Sequence, residues 1–85
     1  MFEYNISKEA NEEIFNNLCK TLEKRIPNLR KGDLLIDVDN SKTQIYWIVN
    51  DKILVRNSYY YDALFIVSET DIEEYVKQAV QRSNL

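Results

Sequence analysis

The stretch Asp33 to Val67, DLLIDVDNSKTQIYWIVNDKILVRNSYYYDALFIV, decides the fold: β-branched and aromatic residues fill it, and short polar breaks divide it at regular intervals. It reads as strands over 33–39, 43–49, 52–56 and 59–67. Asn40-Ser41 and Asn50-Asp51 suit two-residue hairpin turns, because Asn and Asp tolerate the positive φ that such turns require; Asn57-Ser58 is a weaker third. Directly opposed residues of antiparallel strands share a face. Pairing through the three turns sets Leu34 and Leu54 opposite Trp47, Ile36 opposite Ile45, and Tyr61 opposite Leu54. One face then collects Leu34, Ile36, Val38, Ile45, Trp47, Val49, Leu54, Tyr61, Ala63, Phe65 and Val67, and is expected to be the core.

On either side of this stretch the apolar period changes from two to between three and four. Ala10, Ile14, Leu18, Leu22 and Ile26 recur every fourth residue, supported by Phe15 and Cys19, which predicts a helix over 7–26 with Ser7 as N-cap and Pro27 as its stop. After the strands, Thr70 and Glu73 have capping-box spacing and Ile72, Tyr75, Val76, Ala79 and Val80 form one stripe, which predicts a second amphipathic helix. The expected architecture is a two-layer α+β domain of order α-β-β-β-β-α: an antiparallel meander of three or four strands with both helices on one face. The 85 residues are expected to form a single domain, ordered from about residue 6 to about residue 82, since one Gly and one Pro leave little room for linkers.

The second face of the sheet is the candidate site. It gathers Leu35, Tyr46, Ile48, Ile53, Val55, Tyr60, Leu64 and Ile66 among Asp33, Asp37, Asp39, Gln44 and Asp62. In this pairing Leu35, Tyr46, Val55 and Tyr60 make a row across four strands. An apolar row with two tyrosines and an acidic fringe has the composition of a protein-binding patch, with Asp37 and Asp62 at its rim. Three other uses of such a face are a second covering helix, a solvated sheet surface, and a two-fold homodimer. A bulge at Asn57-Ser58 in place of a turn would expose Tyr59 and Tyr61 instead of Tyr60.

Several chemistries lack their residues. The chain has no histidine, which removes the usual neutral-pH base and the commonest metal ligand. One glycine, Gly32, cannot build a phosphate-cradling loop. Cys19, on the apolar side of the first helix, reads as a small hydrophobe. Asp37-Val38-Asp39-Asn40-Ser41 opens like a calcium loop, but Lys42 stands where that loop needs glycine, so it reads as a strand end entering a turn. No enzyme, cofactor or metal site is expected. With a net charge of −3, nucleic-acid binding is not expected either. The basic cluster Lys20, Lys24, Arg25, Arg30 and Lys31 reads as charge matched to a helix end, its alternative being a phosphate or acidic-partner site. Single-stranded RNA binding on a sheet needs exposed aromatics within a basic surface, and the candidate face has more acids than bases. No window resembles a membrane span, and the amino terminus lacks signal-peptide patterning, so a cytoplasmic location is expected. The remaining expectation is a small acidic module that binds and blocks a protein with a basic surface, with a homodimerising domain, or nucleic-acid association through the basic 20–31 segment, as the alternatives.

Overall fold

A computed structural model describes residues 1–82. Seven elements follow one another: β1 (Phe2–Ser7), α1 (Glu12–Arg25), β2 (Arg30–Ile36), β3 (Lys42–Ile48), β4 (Asp51–Ser58), β5 (Ala63–Ser68) and α2 (Glu73–Arg82). The five strands form one antiparallel sheet in the order β1-β5-β4-β3-β2. The meander β2 to β5 and the two helices on one face match the sequence expectation. A fifth strand leads the chain. Its alternation Phe2-Glu3-Tyr4-Asn5-Ile6-Ser7 has period two, so this segment, to which the sequence reading assigns no element before the helix start at Ser7, pairs along β5.

The helix bounds differ from the expectation for local reasons. Asn11, not Ser7, caps α1: its side chain accepts a hydrogen bond from Ile14 N at 2.9 Å, and Glu12 and Glu13 follow in the first turn. At the far end Pro27 forces Ile26 into extended backbone, which ends the helix at Arg25. The Thr70–Glu73 capping box does not form. Asp71 Oδ1 accepts from Glu73 N at 3.0 Å, and it also accepts from the Tyr4 hydroxyl, which in turn takes Ile72 N at 3.0 Å. Tyr4 thereby ties β1 to the start of α2.

The strand bounds and registers move too. Ile45 opposes Leu54, Tyr46 opposes Ile53, and the loop between β3 and β4 is Val49-Asn50. Val49, not Asn50, takes the positive φ, at 57°. Between Lys31 and Leu34 the register of β2 shifts by a bulge, whose Gly32 and Asp33 carbonyls accept from Gln44 Nε2. A Cβ on Gly32 would lie 3.0 Å from the Ile45 carbonyl oxygen, so the bulge needs glycine for close approach.

The largest correction concerns which face is covered. The helices sit on the side of Tyr46, Ile53, Val55, Leu64 and Ile66, which join Phe15, Leu18, Leu22, Ile72, Val76 and Ala79 in the core. Ile45, Trp47, Leu54, Phe65 and Val67, expected in the core, lie on the opposite side and are half-buried. The expected alternation from Ile45 to Val67 therefore holds, while inside and outside are exchanged. Two physical details account for it. Tyr46 can be buried because its hydroxyl reaches Glu23 Oε2 on α1 at 2.5 Å. On the other side, the Lys52 ammonium sits 5.1 Å from the Trp47 ring centre and the Arg56 guanidinium carbon 5.8 Å from that of Phe65, so long basic side chains pack along part of each ring and leave it half-buried.

Candidate functional site

Residues Ile36, Lys42, Asn57, Leu64 and Ser7 stand in register straight across all five strands. Beyond this row lie three connections: residues 8–11 leading into α1, residues 37–41 between β2 and β3, and residues 59–62 between β4 and β5. They make one end of the molecule. Asn57-Ser58 is neither the turn nor the bulge of the sequence reading; β4 runs through it, and Tyr59-Tyr60-Tyr61-Asp62 forms the loop. Asp62 takes the positive φ, 51°, that this loop needs.

Hydrogen bonds hold the tyrosine loop from three sides. Tyr59 N donates to Ser41 Oγ at 2.8 Å, Tyr61 N to Ser58 Oγ at 3.1 Å, and Asp62 Oδ1 accepts from Ala10 N at 2.9 Å. Below it, the buried Asn57 accepts from Asn11 N at 2.9 Å, and Lys42 pairs with Glu12. The rings of Tyr60 and Tyr61 pack edge to face, centres 4.9 Å apart and planes at 85°. They are 76% and 70% exposed. Ile36 and Val38 are exposed at the same end, and a shallow hollow opens between Glu12, Asp39, Asn40, Lys42 and Tyr59.

The six residues expected to form the site therefore separate. Tyr46 and Val55 are wholly buried, at 0% exposure each, and take no part in any surface. They do not share a row: Tyr46 stands between Lys31 and Ile53, Val55 between Gln44 and Ile66. Leu35 is 53% exposed but opposes Thr43, on the side away from the helices. Tyr60, Asp62 and Asp37 lie in two connections at the loop end of the sheet, Asp37 in 37–41 and the other two in 59–62. Asp62 is a brace of the loop rather than a free rim charge. Tyr59, Tyr61, Ile36 and Val38 lie in the exposed group; Tyr61, Ile36 and Val38 were expected on the covered face. Asp62 carries the signal for this arrangement, since three aromatics followed by a residue that tolerates positive φ also fit a four-residue loop.

The acids of the 37–41 turn are engaged with that turn. Asp37 Oδ1 accepts from Val38 N, and Asp39 Oδ1 from Ser41 N, both at 2.9 Å. The Ser41 backbone and hydroxyl bonds hold the Asp39 carboxyl below its usual range. Cys19 lies under α1 beside Tyr46; burial, with Glu23 adding to it, pushes its thiol up to about 11, so it is protonated at neutral pH. Burial likewise raises the Tyr46 phenol, with the Glu23 carboxylate adding to the effect. No helix among the described residues is long and apolar enough to cross a membrane.

What fold and surface define is a small α+β domain with a preorganised aromatic loop at one end. Compared with protein-family models, curated proteins and solved structures, the chain matches none.

Proposed function

We propose that the chain is a small acidic, non-enzymatic protein-binding module that acts by occupying a partner's surface at the tyrosine-loop end. Its physical type is that of an inhibitor: an immunity protein or antitoxin for a nuclease, or a phage-encoded antagonist of a host nucleic-acid-binding factor acting in the cytoplasm. The observation that carries this reading is the braced display of Tyr60 and Tyr61. Large amphipathic rings held by a fixed backbone lose little freedom on binding, so more of their burial appears as affinity. The connections and helix start at this end carry Glu9, Glu12, Glu13, Asp37, Asp39 and Asp62 against Lys8 and Lys42, which favours a basic target and makes end-to-end pairing of two copies repulsive.

The test is affinity capture with the wild-type chain and the Tyr60→Ala variant, followed by identification of the captured protein and measurement of its affinity. The variant is expected to keep wild-type stability while weakening binding by about 2 kcal/mol, as for an interface hot spot. A partner held equally well by Tyr60→Ala and Tyr61→Ala would place the interface elsewhere.

A further inference from the structure

The side of the sheet away from the helices differs in charge from the rest of the molecule. Register places Arg30, Trp47 and Lys52 in one row, Ile45, Leu54, Val67 and Glu3 in the next, and Leu35, Thr43, Arg56, Phe65 and Asn5 in a third. Arg30, Lys52 and Arg56 thus stand against Glu3 and against Glu69, which opposes Lys52 and accepts from its backbone N at 2.6 Å, with Asp33 in the bulge at the edge; the face balances its charges on a chain whose net charge is −3. Two of these cations lie over the two aromatic rings of the face. Neither Lys52 nor Arg56 forms a salt bridge among the described residues, and Arg56 Nε has no hydrogen-bond partner there. Basic side chains interleaved with aromatics on an open antiparallel sheet are what single-stranded nucleic acid uses: phosphates meet the cations and bases stack on the rings.

We propose that this face binds single-stranded nucleic acid, with bases on Trp47 and Phe65 and phosphates on Arg30, Lys52 and Arg56. A second copy of the chain fits the face poorly. Lys52 and Arg56 both belong to the central strand β4, so packing the face on itself by a two-fold axis brings β4 over β4 and like charges together. An acidic protein would satisfy the cations but has no particular use for a ring beside each of them. This site is independent of the tyrosine loop, which lies beyond the end of the sheet.

Trp47 is the only tryptophan, so its emission reports the site directly. Fluorescein-labelled oligo-dT and oligo-rU of about twelve nucleotides, within the span of a small single-strand platform, are titrated with the full chain by fluorescence anisotropy at about 50 mM salt. The unlabelled strands are used to follow Trp47 emission. Binding is expected to quench Trp47, with a log–log salt slope of about −2 for three phosphate contacts. Joint Lys52→Glu and Arg56→Glu substitution is expected to weaken binding at least about tenfold, and Phe65→Ala about tenfold through lost stacking. The paired surface control Lys20→Glu with Lys24→Glu on α1 and the loop variant Tyr60→Ala should leave it unchanged. If Phe65→Ala unfolds, the charge-reversal pair decides. The proposal is overturned by absence of binding to both strands at low salt, by binding that leaves Trp47 emission untouched, by loss of binding in the α1 control, or by a dimer in light scattering that Leu54→Asp dissolves.

Discussion

Replacing Tyr46 with alanine is the perturbation that separates this fold from the face assignment the sequence alone suggests. Its ring is wholly buried between β3 and α1, and its hydroxyl donates to Glu23 Oε2. Truncating a buried aromatic to alanine costs about 3–5 kcal/mol, through lost transfer energy and the cavity left behind. An 85-residue domain has about 4–13 kcal/mol in total, so the change removes roughly a quarter or more of it. Tyr46→Phe isolates the hydroxyl. A hydrogen bond to a charged group contributes about 1.5–3 kcal/mol, but Glu23 is partly exposed and keeps Lys31 at 3.4 Å, so the carboxylate is not stranded. The net loss expected for Tyr46→Phe is about 1–2 kcal/mol. Urea unfolding followed by circular dichroism reads both, with a midpoint about 2 M or more lower for Tyr46→Ala at unchanged slope. A midpoint within about 0.5 M of wild type would put Tyr46 on an open face and refute its packing under α1.

Two further outcomes follow from particular backbone and titration features. Val49 is a β-branched, exposed residue at φ 57°, with only its backbone oxygen engaged, by Arg30; Val49→Gly is expected to stabilise by about 0.5–1 kcal/mol in the same unfolding assay, and destabilisation would remove the strain argument. Cys19 is held as the thiol in the folded state up to about pH 11, whereas the unfolded chain releases that proton near 9. Stability is thus intact below the unfolded value and falls as pH rises towards 11, by about 2–3 kcal/mol from this group. Tyr46, also raised by burial, acts in the same direction. Unfolding midpoints from pH 8 to 11 should fall more steeply for wild type than for Cys19→Ala, and equal slopes would contradict the assignment.

Much of this architecture is legible in the residues, and the errors have identifiable causes. The period-two run from Ile45 to Val67 does place Ile45, Trp47, Leu54, Phe65 and Val67 on one side and Tyr46, Ile53, Val55, Leu64 and Ile66 on the other. Alternation cannot say which side receives the helices when both are apolar. In this chain that depends on features no pattern contains: a hydroxyl that finds Glu23, and lysine and arginine stems that pack along part of Trp47 and Phe65. Strand β1 escapes the sequence reading because Phe2, Tyr4 and Ile6 make only a short alternation, directly ahead of the helix expected from Ser7. The tyrosine run shows the same ambiguity at a loop. Read as strand, it exposes one ring; as a loop closed by the positive φ of Asp62, it exposes all three.

The sidedness of the sheet underlies both surfaces, and Trp47 tests it most directly. Steady-state quenching of its fluorescence in the folded chain should show partial access to acrylamide, as for a half-buried ring. Iodide should quench better than caesium, because Lys52 and Arg30 stand beside the ring. A Trp47 that neither ion nor acrylamide reaches until the chain unfolds would mean that the helices cover its face of the sheet, and would contradict the placement of Tyr46 in the core.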